Sequence, residues 1–319
     1  MGNVHANQYL KMSDVTLTVF DGQSDRSRLL AERTGASVAE SIEGLLSSVD
    51  VVDICLPTDL HAEFGLRAIA AGRALFMEKP ITRNWEDAVA LAEAASQAGV
   101  PVMPGQVVRF FPEFRTAKSM IDNGAVGTPA AARTRRGGGA PGGSQGWFMD
   151  HRRSGGILLD LAIHDFDWLR WTLGEVDFLY SRAVAAETQT GPDYALTTLT
   201  FKSGAVAHTE STWMDPSGFR VTFEVAGKDG ILQFDSRDQP AVRVSTAANS
   251  AGGDYLSVAE TPLSPTDDPY YLELRGFLEA VRNGTPPPVT IEDGLAALSI
   301  SLAAIESSQT GRVVRPISA

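Results

Sequence analysis

Ala74-Leu75-Phe76-Met77-Glu78-Lys79-Pro80 is an unbroken apolar run that stops at two charges and a proline. A short apolar run without alternation reads as a strand buried on both faces, as in a parallel sheet. The flanks agree. Before it, Val51 to Leu56 is a second apolar strand ending at Pro57; Thr58 can cap a helix through Ala71, and Gly72 closes it. After it, Asn84 and Asp87 form a capping pair for a helix that Gly99 ends, and Val100 to Met103 is one more strand. Further upstream, Val15 to Phe20 reads as a strand ending in Asp21-Gly22, with a helix from Ser24 or Asp25 to about Arg33 and Gly35 as its stop. Strands alternating with helices predict a doubly wound parallel sheet. Ligands of such sheets bind outside the carboxyl ends of the strands, where Lys79 stands.

The start of the chain fits this scheme incompletely. Met1-Gly2-Asn3-Val4-His5-Ala6 resembles the tail of a glycine-rich dinucleotide loop, with Gly2 as its second glycine. The first glycine and the strand before it are missing from the pattern, and His5 takes the third position, where a small residue is usual. Asp21 follows Gly2 by 19 residues, a spacing that suits an acidic residue on an adenosine ribose.

From about Val107 the pattern changes. Tyr194 to Phe201, Ala205 to Trp213, Phe219 to Val225 and Ile231 to Phe234 read as strands without intervening helices, joined by turns at Lys202-Ser203-Gly204 and Gly227 to Gly230. They predict an open, mainly antiparallel sheet with one face to be covered. Gly155-Gly156-Ile157-Leu158-Leu159-Asp160-Leu161-Ala162-Ile163-His164-Asp165-Phe166-Asp167 reads as a helix. Asp160 and His164 then share one face, Asp167 supports His164, and Asp165 points to solvent. A carboxylate, an imidazole and the Lys79 ammonium could meet around one hydroxyl group. The glycine-rich segment 137–146 leads to Trp147 and is either a loop over a ligand or a plain tether.

These motifs resemble the Gfo/Idh/MocA family of NAD(P)-dependent oxidoreductases. Glu78-Lys79-Pro80 matches the family's Glu-Lys-Pro, and Gly155-Gly156 through Asp160, His164 and Asp167 matches its helix motif. Gly105 to Phe110 looks like its crossover into a second domain, and Tyr271–Phe277 with Thr290–Ala304 like its closing helices. The resemblance implies a Rossmann-like domain over 1–106, lacking its first strand, and an α+β substrate and oligomerisation domain over 107–319. It implies that a complete gene would start several residues upstream. It gives Lys79, Asp160 and His164 to catalysis. Gly2, Asn3, Val4, Asp21, Leu56, Pro57, Thr58, His61, Glu78, Lys79 and Gln106 go to the cofactor, although a packing role for His61 stands beside that. Lys79, Arg109, Trp147, Asp160 and His164 go to the substrate; for Arg109 a structural ion pair and for Trp147 a packing role remain open. The carboxylate of Asp21, with no basic residue before Arg26, favours NAD over NADP.

Composition narrows the class. The 319 residues carry 27 Lys and Arg against 39 Asp and Glu, a net charge of -12, which argues against nucleic acid. The lone Cys55 excludes an internal disulfide and fits a reducing, cytoplasmic setting. The run Leu295–Ile305 is too short to span a bilayer. No His, Cys and carboxylate spacing suggests a metal site, and none is expected. The expected partners are a small sugar- or polyol-like substrate and further copies of the chain, as a dimer or tetramer. The reading is a dehydrogenase acting on a hydroxyl by hydride transfer. The alternatives are a glycosidase-type enzyme that oxidises transiently with NAD, and a non-catalytic dinucleotide sensor.

Overall fold

The computed structural model describes residues 1–141, 144–185, 193–238, 242–246, 256–258 and 268–317. Its helices and strands run in the order α1 (Gly2–Tyr9), β1 (Thr18–Val19), α2 (Ser24–Thr34), β2 (Ser37–Val38), α3 (Ile42–Ser48), β3 (Val51–Ile54), α4 (His61–Ala70), β4 (Ala74–Glu78), α5 (Trp85–Ala98) and β5 (Val102–Gly105). Then come α6 (Pro112–Asp122), β6 (Pro129–Gly137), α7 (His151–Ser154), α8 (Ile157–Asp160), α9 (Ile163–Leu173), β7 (Val176–Val184), β8 (Tyr194–Phe201) and β9 (Val206–Thr212). The chain closes with β10 (Arg220–Gly227), β11 (Gly230–Asp235), β12 (Val242–Thr246), β13 (Leu256–Val258), α10 (Pro269–Asn283) and α11 (Ile291–Thr310). It divides into two compact units, Met1–Phe110 with Leu263–Gly294, and Phe111–Pro262 with Leu295–Ala319.

In the first unit β3, β4 and β5 form a parallel ladder with β4 in the middle. All five residues of β4 are buried, as the apolar run requires. Gly65 lets α4 come close: a Cβ there would lie 2.6 Å from Met77 and 2.7 Å from Leu91. Asn84 caps α5 by accepting from the Asp87 amide at 2.8 Å. Gly35 and Gly99 end their helices in the left-handed conformation. The expected strand Val15–Phe20 shortens to β1, which pairs in parallel with β2 as a separate ladder. Among the described residues no strand joins the two ladders.

The sequence reading drew one boundary, at 106/107, whereas the chain returns to the first unit over 263–294. The reason is apolar packing. Leu274, Phe277 and Leu278 of α10 share a core with Tyr9, Met12, Phe76 and Met103.

The second unit is built on an eight-stranded sheet of order β13-β12-β11-β10-β6-β9-β8-β7. All of its pairings are antiparallel except β6 with β9. β8 lies where Tyr194–Phe201 was expected and alternates buried and less buried residues, the period of a strand with one covered face. Phe114, Trp168, Phe223 and Phe234 pack edge-on, tilted or, for Phe223 on Phe234, stacked, at centroid distances of 4.8–5.8 Å, and close one core.

Candidate active site

Because β3, β4 and β5 are parallel neighbours, the segments that follow them leave from one edge of the ladder. Leu56, Pro57 and Thr58 follow β3, Lys79 follows β4, and Gln106 follows β5. The Lys79–Pro80 peptide is cis. Gln106 is 1% exposed, and its Oε1 is a buried acceptor with no hydrogen-bond partner among the described residues. His61 is buried, with Nδ1 2.8 Å from the Pro80 carbonyl and Nε2 2.9 Å from the Leu56 carbonyl. Burial lowers its pKa against the pull of those two carbonyls. Both ring nitrogens are engaged in tying two loops together. His61 thus serves the packing role that was read beside the cofactor one.

α1 begins at Gly2; the Val4 and His5 amides donate to the Met1 carbonyl at 2.6 and 3.2 Å, which leaves those of Gly2 and Asn3 without an acceptor in the helix. Asn3 is exposed and accepts from Arg33 at 2.9 Å, while Gly2 and Val4 are half-buried. Asp21 stands just after β1, and its carboxylate accepts from the Gln23 amide at 2.8 Å.

One turn into α1, His5 is almost wholly buried between two carboxylates: Nδ1 is 2.8 Å from Asp53 and Nε2 is 3.1 Å from Glu78. Burial alone would lower the imidazole pKa, but Asp53 and its hydrogen bond outweigh it, and the value lies well above the ordinary one. Glu78 responds in the opposite direction. Burial would raise its carboxyl, yet His5 and Lys79 hold it below the ordinary value. Cys55 Sγ lies 3.3 Å from His5 Nδ1 and 3.4 Å from Asp53, and burial pushes the thiol up to about 12. No local pattern marks this cluster, since His5 and Asp53 are 48 positions apart.

In the second unit the motif 155–167 departs from a single helix. α8 ends at Asp160 and α9 begins at Ile163. The Ala162 amide bonds back five residues to Ile157 at 2.9 Å, and the Asp165 amide only three, to Ala162 at 3.0 Å. Leu161 stays right-handed at φ -102°, so the chain widens by one turn instead of reversing. Asp160 ends one helix and His164 opens the next, which corrects the expectation of one continuous face. Asp160 is 7% exposed and His164 half-buried.

Two glycines shape the approach to this turn. A Cβ on Gly155, φ +80°, would lie 2.3 Å from Leu159; one on Gly156, φ +71°, would lie 2.5 Å from His151.

Asp165, expected in solvent, is fully buried and pairs with Arg136 of β6 at 2.9 and 3.2 Å. Burial raises its carboxyl although Arg136 pulls the other way. Asp167 is 1% exposed. Arg109, 7% exposed, forms an ion pair with Asp293 at 2.9 Å within the first unit, so its structural reading holds. Trp147 is half-buried and stacks on Phe148 with centroids 4.0 Å apart. Of the glycine-rich segment, Gly142 and Gly143 lie outside the described residues.

Comparison with known proteins agrees with this layout. Residues 1–106 match the family described as "Oxidoreductase family, NAD-binding Rossmann fold", and residues 114–233 match "GFO/IDH/MocA C-terminal domain". The chain is 31% identical to the myo-inositol 2-dehydrogenase of Thermotoga maritima, over 99% of this chain and 95% of that protein. It is 32% identical to the scyllo-inositol 2-dehydrogenase (NAD(+)) of Bacillus subtilis, over 84% of this chain and 78% of that one. Among solved structures, a probable dehydrogenase from Thermotoga maritima superposes with a TM-score of 0.82 at 29% identity, covering 98% of this chain and 95% of that one. On this evidence the chain belongs to the Gfo/Idh/MocA family of oxidoreductases.

Proposed function

We propose that the chain is an NAD-dependent dehydrogenase that interconverts a hydroxyl and a carbonyl on a sugar or polyol. The observation that carries the reading is the shared carboxyl end of β3, β4 and β5, after which Thr58, Lys79 and Gln106 follow in the chain. The inositol dehydrogenases among the relatives support the substrate class. The residues fit a dinucleotide. The Gly2 and Asn3 amides of α1 suit a pyrophosphate, Asp21 suits a ribose hydroxyl, and Gln106 Oε1, without a partner among the described residues, suits an amide donor such as a carboxamide.

Alcohol oxidation removes a hydride and a proton, and bound NAD supplies the hydride acceptor. The protein handles the proton. His164 is the base, because an imidazole titrates near neutrality. Asp160 binds the reacting hydroxyl or orients that imidazole. The Lys79 ammonium stabilises the developing alkoxide. The test is a panel of cyclic polyols and sugars assayed with saturating NAD, then NADP. Turnover of at least one polyol, faster with NAD, is expected; turnover of none would overturn the reading.

No helix among the described residues is long and apolar enough to cross a membrane. The single cysteine supports a cytoplasmic setting. On the outer sheet face Leu196 of β8 pairs in register with Arg182 of β7, Tyr180 and Val184 lie two positions to either side of that arginine, and the three apolar residues are at least 39% exposed. This apolar patch supports association of copies of the chain through the sheet. Light scattering on the purified chain, with Leu196→Glu as control, checks it: a dimer or tetramer that the variant dissociates is expected, and a monomeric wild type would contradict it.

A further inference from the structure

The first unit holds a set of donors that the dehydrogenase reading does not use. His5 comes from α1, Asp53 from β3, and Cys55 directly follows β3. Their ligand atoms all lie within 4.8 Å of one another. His5 Nδ1 lies 2.8 Å from Asp53 Oδ2 and 3.3 Å from Cys55 Sγ, and Cys55 Sγ lies 3.4 Å from the other carboxylate oxygen, Asp53 Oδ1. A tetrahedral zinc with ordinary bond lengths has edges of about 3.3 Å between nitrogen and oxygen and about 3.6 Å to sulfur. The two edges that meet at His5 Nδ1 would each open by about half an ångström or less to admit the ion.

The surroundings have the form of a metal site's outer layer. A ligating histidine usually gives its second ring nitrogen to a carboxylate, and ligating carboxylates are themselves hydrogen-bonded. Here His5 Nε2 faces Glu78 at 3.1 Å, and the Tyr9 hydroxyl donates to Asp53 at 3.0 Å. One nitrogen, one oxygen and one sulfur are a donor set for a borderline-soft ion.

We propose that His5, Asp53 and Cys55 form a binding site for a zinc-class divalent cation. Binding replaces the protons on His5 Nδ1 and Cys55 Sγ, which pass to solvent, and leaves a fourth position open for water. The ion ties α1 to the end of β3, independently of any substrate chemistry.

The test uses the full chain without a histidine tag, stripped with a chelator and titrated with zinc chloride against a chromophoric competitor. One zinc per chain is expected, with binding at least about ten-fold weaker in Cys55→Ser and in Asp53→Asn. Cobalt chloride gives a second readout that needs no variant. Cys55 is the only cysteine, so a thiolate-to-cobalt charge-transfer band can come from no other residue. That band is expected in the wild-type chain. Its absence, or zinc binding equal in wild type and Cys55→Ser, would overturn the proposal. Neither readout depends on turnover, so the site and the dehydrogenase reading can fail separately.

Discussion

At Gly156 a methyl group has no room, and the backbone, φ 71° and ψ -170°, is in a region that side chains avoid. Gly156→Ala should cost about 1–3 kcal/mol of stability, combining backbone strain with displacement of the His151 ring. Denaturant titration of the variant checks this, and an unchanged midpoint would contradict it. His164→Ala should lower turnover by about 10²–10⁴-fold and leave NAD affinity nearly intact, because the proposed base acts on substrate. Lys79→Ala should behave likewise. Wild-type turnover in either variant removes that residue from the mechanism. Asp21 should make NAD bind more tightly than NADP, since a 2′-phosphate would meet an uncompensated carboxylate. Calorimetric titration of both cofactors decides it, and tighter NADP binding would contradict it. At this scale the sequence disclosed what sits in contiguous motifs, such as Glu78-Lys79-Pro80. It hid what depends on distant partners. Asp165 read as solvated because its Arg136 lies 29 positions away, on a strand the pattern did not show.

That strand, β6, explains what escapes at the scale of elements. Ala131-Ala132-Arg133-Thr134-Arg135-Arg136 lacks apolar alternation, yet it lies between β10 and β9 in the sheet. Its charges are matched by neighbours instead: Arg133 sits opposite Glu224, and Arg135 binds Glu210 at 3.0 Å and Asp215 at 2.7 Å. Strands that bury one apolar face, such as β8, and helices with local caps, such as α5, were legible because their signals lie within a few residues. α10 shows how a distant helix is fastened. Its Arg275 donates twice to Asp14 at 2.9 Å, and Arg282 also donates to Asp14. Those guanidinium groups hold the Asp14 carboxyl down at about 2, below the usual 3.8. Its contribution is therefore complete above the ordinary carboxylate value and is lost as pH falls toward 2. Asp14→Asn should melt below wild type near neutral pH, by a small margin because the pair is exposed and salt-screened. The gap should close on acidification. A gap that stays constant down to about pH 2 would contradict this linkage.

Across the whole molecule, the α/β character of the first half and the antiparallel sheet of the second were readable from periodicity alone. The return of residues 263–294 to the first unit was not. That packing depends on Leu274, Phe277 and Leu278 finding Phe76 and Met103, a match that no local pattern records. Family membership joins these two halves to one expected chemistry, the movement of a hydride from a carbinol carbon to NAD. The most direct measurement supplies myo-inositol deuterated at every carbinol carbon, with unlabelled NAD, to the purified chain, and weighs the reduced cofactor by mass spectrometry. The account predicts NADH that carries one deuterium, formed by wild type and strongly reduced in Lys79→Ala and His164→Ala. If neither this polyol nor any other carbon-deuterated cyclic polyol or sugar yields labelled NADH, the central claim is contradicted.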